Sequence, residues 1–269
     1  MGEGLRLRKV AGVASILLLL SAGPASAREK VKRERAQVAL PILIEAPLEP
    51  GRTYSFRAGE MFGAQPARYR SIVSLDAPVA IPGSAAALIA AGEPLVELQA
   101  SSPNFTGHLY CKAQAVGLKR QALLCLADRD GDGALDQLWI GFAAVTPLVP
   151  FPDIRSLRTV TPVRFRPYAD QASLAFEMGF YVSGTNPLLG QHHFYPALGS
   201  GKASYVLFWE HRPAAMRNLP KAITVGGAEV TVTGYSQGNY QAIVTRPLAV
   251  GEHLIVSPYP KRTIYVYVP

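Results

Sequence analysis

Four aspartates lie close together in the middle of the chain, at spacings that suit metal coordination. Asp128, Asp130 and Asp132 alternate with other residues, and Asp136 follows four positions later. Calcium is a hard cation that takes about six to eight oxygen ligands, and carboxylates at alternating positions of a tight turn converge on one point. Without a cation the four carboxylates would repel each other. The spacing therefore predicts a calcium site in which these four side chains and the backbone carbonyl of Ala134 are the ligands.

The segment resembles two known calcium loops. From Asp128 to Asp136 it is similar to an EF-hand loop, with Gly133 at the sixth position, where that loop turns sharply. The twelfth position, however, holds Trp139 instead of glutamate, and both flanks have the composition of strands. Residues 128–141 are more similar to the D-x-[DN]-G-D-G-x-x-D loop of FG-GAP repeats. The motif occurs once, so it implies a loop type and not a propeller. The alternative is a solvated acidic turn, since Asp-Gly pairs are good turn formers.

The chain has two cysteines, Cys111 and Cys125, which are separated by thirteen residues with Gly117 near the middle. A chain reversal around Leu118 would place them opposite each other on paired strands, close enough for a disulfide. Such a bridge stabilises a fold by roughly 3 kcal/mol in the chain-entropy model. A redox pair lacks its Cys-x-x-Cys spacing here, and two free thiols are the remaining alternative. We predict a structural disulfide between Cys111 and Cys125.

A second motif, Gly234-Tyr235-Ser236-Gln237-Gly238, has the pattern G-x-S-x-G. It resembles the nucleophile elbow of cutinases and related α/β-hydrolases, which implies Ser236 as nucleophile and His253 as its base. The elbow requires a helix after the serine, whereas residues 239–245 have a strand composition. The acid nearest to the histidine, Glu252, is its chain neighbour and cannot form the separated geometry of a triad. A hairpin turn around Ser236 is the favoured interpretation, and a secreted serine hydrolase is the alternative.

The rest of the chain consists of short apolar or alternating runs that are cut at close intervals by 24 glycines and 22 prolines. Their richness in Val, Ile, Thr, Tyr and Phe favours strands. We predict a mostly β fold, an antiparallel β-sandwich or barrel-like architecture. One short helix is expected at residues 84–91, which are rich in alanine. The prolines within residues 146–152 predict a boundary between two β domains, 37–147 and 153–269.

The N-terminal residues predict export. A basic start, an apolar run at residues 10–21 and Ala25-Ser26-Ala27 form the three parts of a signal peptide over residues 1–27. Residues 28–36 follow as a basic leader, which we interpret as a disordered segment. Contact with an acidic surface is the alternative. No later apolar run is long enough for a transmembrane helix. We therefore expect a periplasmic or secreted protein.

The composition and the absent motifs narrow the function. The net charge of +8 comes without a nucleic-acid-binding motif, a phosphate loop or a dinucleotide fingerprint, and the five histidines show no metal-binding spacing. We therefore expect a binding or structural protein of the cell envelope or extracellular space in preference to an enzyme. An envelope glycan or protein is the expected partner, nucleic acid is not, and the calcium ion would be structural.

Overall fold

The computed structural model describes residues 37–80, 87–102, 105–112, 122–142, 155–184, 192–200, 203–206, 214–215, 218–257 and 264–267. The predicted signal peptide and the basic leader lie outside these residues. None of the helical segments within the described part of the chain is long and apolar enough to cross a membrane.

The described chain forms twenty strands and one 3₁₀ helix, Gln171–Leu174. All strand pairings are antiparallel, so the predicted mostly β, antiparallel fold is confirmed. The strands are β1 Gln37–Ile44, β2 Arg52–Arg57, β3 Met61–Tyr69, β4 Ile72–Leu75, β5 Val79–Ala80, β6 Ala87–Ile89, β7 Pro94–Ser102, β8 Phe105–Lys112, β9 Ala122–Ala127, β10 Ala134–Phe142, β11 Arg155–Pro167, β12 Phe176–Gly184, β13 His192–Ser200, β14 Ala203–Val206, β15 Ala214–Ala215, β16 Lys221–Val225, β17 Ala228–Ser236, β18 Asn239–Arg246, β19 Gly251–Ser257 and β20 Ile264–Tyr267.

A four-stranded sheet in the order β16-β17-β18-β2 shows how the sequence pattern produces strands. On β17 the side chains of Ala228, Val230 and Val232 are buried, and the residues between them are partly exposed. This period of two places one face of the strand on the core and the other toward water. The β-branched residues fit the pleated surface that results.

This small sheet packs on the large sheet as the two layers of a sandwich. The Phe56 ring of β2 stacks on the Phe62 ring of β3, with 3.8 Å between the ring centroids. Phe62 also contacts Phe180 of β12, and Phe56 contacts Tyr240 of β18. Apolar side chains from both sheets therefore form one hydrophobic core, which is the arrangement that removes most apolar surface from water.

Six strands of the large sheet close into a ring. The strand order runs β14-β13-β12-β3-β1-β7-β4-β11-β10-β9-β8, and β8 also pairs with β7. Tyr110 of β8 and Phe165 of β11 are not on neighbouring strands, yet their ring centroids lie 5.0 Å apart. Directly paired residues share a face of a sheet. The face that carries these rings is therefore the inside of the ring, and a second core of buried leucines and valines fills it.

A close backbone approach joins β12 to β3. The register shifts between Met178 and Phe180, which marks a β-bulge. A Cβ atom added at Gly179 would lie 2.8 Å from the backbone oxygen of Phe62. Only glycine fits at this position without a backbone shift, because other residues carry that atom.

Strands from both predicted domains pair in one sheet. Pairs β1–β19, β3–β12 and β4–β11 each join residues 37–147 to residues 153–269. Lys32–Pro269 also forms one compact unit. The predicted division into two β domains does not match this pairing, because the proline-rich segment signals a local break and cannot report which strands pair across it. Residues 143–154, which contain that whole segment, lie outside the described residues.

The predicted helix at residues 84–91 is not formed where the chain is described. Ala87–Ile89 is strand β6, which pairs with β5, and a turn follows it. Ile89 is fully buried in the core inside the ring. The prediction rested on the helix propensity of alanine, which is a weak preference that tertiary packing overrides. Residues 84–86 lie outside the described part.

Candidate metal centre

Asp128, Asp130 and Asp132 belong to the loop that joins β9 to β10, and Asp136 lies near the start of β10. These strands pair directly, with Ala127 opposite Gln137 and Cys125 opposite Trp139. The flanking elements are therefore strands, as the composition predicts, and not the helices of an EF-hand. We call residues 128–136 the acidic loop. Because β9 and β10 pair directly, the two ends of the acidic loop are held close together.

Three carboxylates of the acidic loop meet. One ligand oxygen from each of Asp128, Asp130 and Asp132 lies within 4.8 Å of the others. Asp128 is partly exposed, and the other two are exposed. Two unit charges at this distance repel each other by about 1 kcal/mol in water. The group could hold a metal ion, because carboxylate oxygens that converge in this way are ligands for a hard cation.

Backbone N–H groups of the loop hold these carboxylates in place. Asp128 accepts from the N–H of Gly131 through Oδ1 (2.7 Å) and from the N–H of Gly133 through Oδ2 (2.9 Å). The N–H of Ala134 donates to Asp132 Oδ1 over 2.8 Å. Gly131 and Gly133 have φ values of 80° and 84°, in the left-handed region that favours glycine. The two glycines therefore make the turn that brings the aspartates together.

Asp136 lies apart from this group of three. It is not among the clustered side chains of the described residues, and its Oδ1 accepts from the N–H of Arg129 over 3.3 Å. Ala134 begins strand β10 and pairs with Arg164. Trp139, at the twelfth position, is buried and packs against Phe105 with 5.4 Å between the ring centroids. The twelfth position thus belongs to the core and supplies no ligand.

The predicted disulfide is confirmed. Cys111 of β8 lies directly opposite Cys125 of β9, and their sulfur atoms are 2.00 Å apart. Both residues are fully buried. The bridge ties the strand that leads into the acidic loop to its neighbour. Residues 113–121, which connect β8 and β9, lie outside the described residues.

Ser236 does not lie in a nucleophile elbow. It ends strand β17 and pairs with Asn239, so Gln237 and Gly238 form a two-residue hairpin turn with φ values of 51° and 83°. Strand β18 follows, where the elbow requires a helix. His253 is fully buried, and its Nε2 lies 2.8 Å from the carbonyl oxygen of Ala249. The hydrolase interpretation therefore lacks the local structure on which it depends.

The environment of His253 fixes its tautomer. A carbonyl oxygen only accepts hydrogen bonds, so Nε2 carries the hydrogen. Burial lowers the pKa of His253, and the bond to Ala249 opposes that shift only in part. The side chain is therefore a neutral core histidine.

A second polar group, which the sequence does not indicate, is centred on Arg70. The guanidinium bonds Glu97 through Nη2 (2.5 Å) and Nε (3.3 Å), and Glu252 through Nη1 (2.8 Å). His108 Nδ1 lies 2.6 Å from the same Glu97 oxygen that Nη2 contacts. Gln99, with its amide oxygen turned toward Arg70, accepts from both terminal guanidinium nitrogens at 3.0 and 3.3 Å. We call these five residues the Arg70 cluster.

Burial and charge compete in the Arg70 cluster. Partial burial disfavours the charged guanidinium, but the bonds and charges of Glu97 and Glu252 outweigh it and raise the pKa of Arg70. The Glu97 side chain is 8% exposed, so its charge depends on these partners. No motif could reveal the cluster, because its members come from β7, β8, β19 and the link between β3 and β4.

Comparison with known proteins gives no relative from which a function could be transferred: no protein family, no curated protein and no solved structure matches the chain. The acidic loop and the Arg70 cluster must therefore be interpreted from their own geometry.

Proposed function

We propose that this is an exported binding or structural protein of the cell envelope or extracellular space, and that its acidic loop binds one structural Ca²⁺ ion. The observation that carries the calcium site is the meeting of three carboxylates, those of Asp128, Asp130 and Asp132, within 4.8 Å of one another. They stand on a hairpin next to a buried disulfide. A cation there would cancel their repulsion and hold the hairpin end in one shape.

The ligand chemistry favours Ca²⁺ over other metals. The group offers oxygen only, and the five residues from Asp128 to Asp132 contain no histidine or cysteine that would suit zinc. Mg²⁺ demands small octahedral geometry and gives up its water reluctantly, whereas Ca²⁺ accepts a flexible set of carboxylates, carbonyls and waters. The hairpin setting supports the resemblance to FG-GAP loops over the EF-hand. The carbonyl of Ala134 and the carboxylate of Asp136 are the further ligands of this proposal.

Three features support export and a non-catalytic role. Residues 1–27 have the pattern of a cleavable signal peptide. The buried disulfide fits an oxidising compartment. The hairpin at Ser236 lacks the setting of a hydrolase nucleophile. A stable β scaffold that is held by a disulfide and a cation presents surfaces to a partner and needs no reactive group of its own.

Thermal unfolding with Ca²⁺ or with a chelator tests the metal site. At a Ca²⁺ concentration about 100 times the dissociation constant, the native state should gain about 2.7 kcal/mol. Asp130→Asn should remove most of the rise in Tm, because it deletes a charged ligand of the group of three. Asp170→Asn is the matched control. That residue accepts from the N–H of Ser173, outside the loop, and asparagine can also do so.

Two further arms separate calcium from any cation and locate the ligand set. Mg²⁺ at the same concentration should raise Tm much less than Ca²⁺ does. Asp136→Asn should reduce the calcium response if this side chain turns to the ion, in keeping with the ninth position of the loop. An equal Tm in millimolar Ca²⁺ and in chelator would refute the site, and an equal loss in Asp170→Asn would show that the response is not specific to the loop.

A further inference from the structure

The face of the sheet that carries the Arg70 cluster changes from apolar to polar along β7. Leu95 lies in the core inside the ring, and Glu97, Gln99 and Ser101 follow it on the same face at intervals of two. Across the ladder, Gln99 stands opposite His108 and Ser101 opposite Thr106. The polar part of this face begins where β7 leaves β4 and pairs with β1.

A cleft of about 320 Å³ opens on this polar part of the face. Its lining includes the polar residues Gln99, Ser101, Thr106 and His108, together with Ala39, which pairs with Gln99 and therefore lies on the same face. Ligand sites in proteins combine an apolar wall with a few placed polar groups and begin at roughly 300 Å³. The cleft therefore has the size for a ligand of about one small ring.

His108 is held in a single orientation at this cleft. Its Nδ1 lies 2.6 Å from Glu97, and a carboxylate only accepts, so Nδ1 carries the hydrogen. Glu97 is in turn fixed by Arg70, and Arg70 by Glu252. The other ring nitrogen, Nε2, has no hydrogen-bond partner among the described residues, and the His108 side chain is 53% exposed. A carboxylate that orients a histidine in this way is the arrangement by which proteins present the second ring nitrogen to a ligand.

The charges of the Arg70 cluster select against anions. Arg70 faces two carboxylates, those of Glu97 and Glu252, so these three side chains together carry one net negative charge. A carboxylate or phosphate ligand would meet this negative charge. A hydroxyl group carries no charge, and it can hydrogen-bond Nε2 of His108 and the amide of Gln99 because it both donates and accepts.

From this geometry we propose that the cleft between β1, β7 and β8 binds a neutral, hydroxylated ligand of about one sugar ring, with a hydroxyl group hydrogen-bonded to Nε2 of His108. The hydroxyls of Ser101 and Thr106 both donate and accept, which matches neighbouring hydroxyls on such a ring. The side chain of Ala39, which pairs with Gln99 and is partly exposed, suits its apolar C–H face. The inference rests on the binding function proposed above and names its ligand class. It does not depend on the calcium loop.

NMR signals of the His108 ring test this proposal directly. The full chain is titrated with glucose, galactose, mannose and N-acetylglucosamine as neutral probes, and with glucuronate as the charged counterpart. At least one neutral sugar should shift the His108 signals in a saturable way, and glucuronate should bind more weakly. His108→Ala should weaken binding, followed on other signals of the cleft, by about tenfold, as expected for the loss of one well-placed hydrogen bond.

Gln241→Ala is the control, since Gln241 is an exposed polar residue of β18 in the other sheet, and it should bind as the unaltered protein does. Glu97→Gln, if it folds, should weaken binding by releasing the orientation of His108. The proposal is overturned if no neutral sugar shifts the His108 signals at millimolar concentration, if binding survives in His108→Ala, or if glucuronate binds more tightly. A protein that still gains stability from Ca²⁺ but binds no sugar would refute this inference alone.

Discussion

The acidic loop takes its three clustered carboxylates from five consecutive residues, whereas the Arg70 cluster joins residues that are up to 182 positions apart in the chain. The loop is largely exposed and is shaped by its own backbone N–H groups. The Arg70 cluster contains Glu97, whose side chain is 8% exposed, and depends on the pairing of distant strands. A local charged site can form wherever its hairpin forms, but a distributed one exists only in the complete fold.

The largest expected effect comes from the disulfide beside the acidic loop. Replacing both Cys111 and Cys125 by alanine should lower the free energy of unfolding by roughly 3 kcal/mol, because the unfolded chain is no longer cross-linked. Urea denaturation of the variant and of the reduced wild type should agree. If the acidic loop is locally built, the rise in Tm with Ca²⁺ should persist in the variant. Loss of that rise would show that the loop depends on the bridge.

Replacement of Arg70 tests whether the Arg70 cluster is a buried group of charges, in contrast to the exposed acidic loop. Arg70→Met should lower the free energy of unfolding by about 2 kcal/mol, because Glu97 remains buried without its main counter-charge. Arg68→Met is the matched control, since Arg68 pairs with Glu45 at 2.7 Å but both side chains are exposed. An exposed pair contributes about 0.2–1 kcal/mol. Equal losses in the two variants, measured by urea denaturation, would contradict the buried character of the Arg70 cluster.

The smallest expected effect is the dependence of the free energy of unfolding on pH that comes from His253. His253 is fully buried, and its pKa is lowered below the ordinary value of 6.5. As the pH falls below about 6.5, His253 binds a proton in the unfolded chain but stays neutral in the native state. The free energy of unfolding should therefore decrease toward acid, by at most about 1.4 kcal/mol per pH unit for this proton.

His253→Gln keeps a donor for the carbonyl of Ala249 and removes the titrating ring. Its free energy of unfolding, measured by urea denaturation between pH 7.5 and 5.5, should depend less on pH than that of the wild type. Equal slopes in the two proteins would show that the acid sensitivity comes from other groups, and the Arg70 cluster would then be the first place to look.

Prediction from the sequence succeeded where the signal is local. The alternation on β17, the Gln237–Gly238 turn and the hairpin around the acidic loop are all encoded within about ten residues of chain. The predicted helix was wrong for residues 87–91. There the strand pairing with β5 and the burial of Ile89 outweigh the helix propensity of the alanines. The role of Asp136 as a further ligand stays a prediction, and in the structure this side chain accepts from the N–H of Arg129.

Other features could not be predicted because their partners are distant. Gln65 is fully buried and bonds the carbonyl oxygens of Ala46 and Leu248, joining two loops that are about two hundred residues apart in sequence. Strands of both predicted domains pair in one sheet for the same reason. A strand pattern shows that a segment will pair but not with which partner, since all strands offer the same backbone donors and acceptors.

The sequence by itself determined the strands, most of the turns, the cysteine pair and the acidic loop, because each depends on residues whose spacing the chain fixes directly. The tertiary structure alone decided the closed ring of six strands, the sandwich around Phe56 and Phe62, and the Arg70 cluster beside its cleft. These depend on which faces are buried together. Burial is a property of the assembled sheets. The contact between His108 and the buried Glu97 therefore could not be predicted from the residues that neighbour His108 in the sequence.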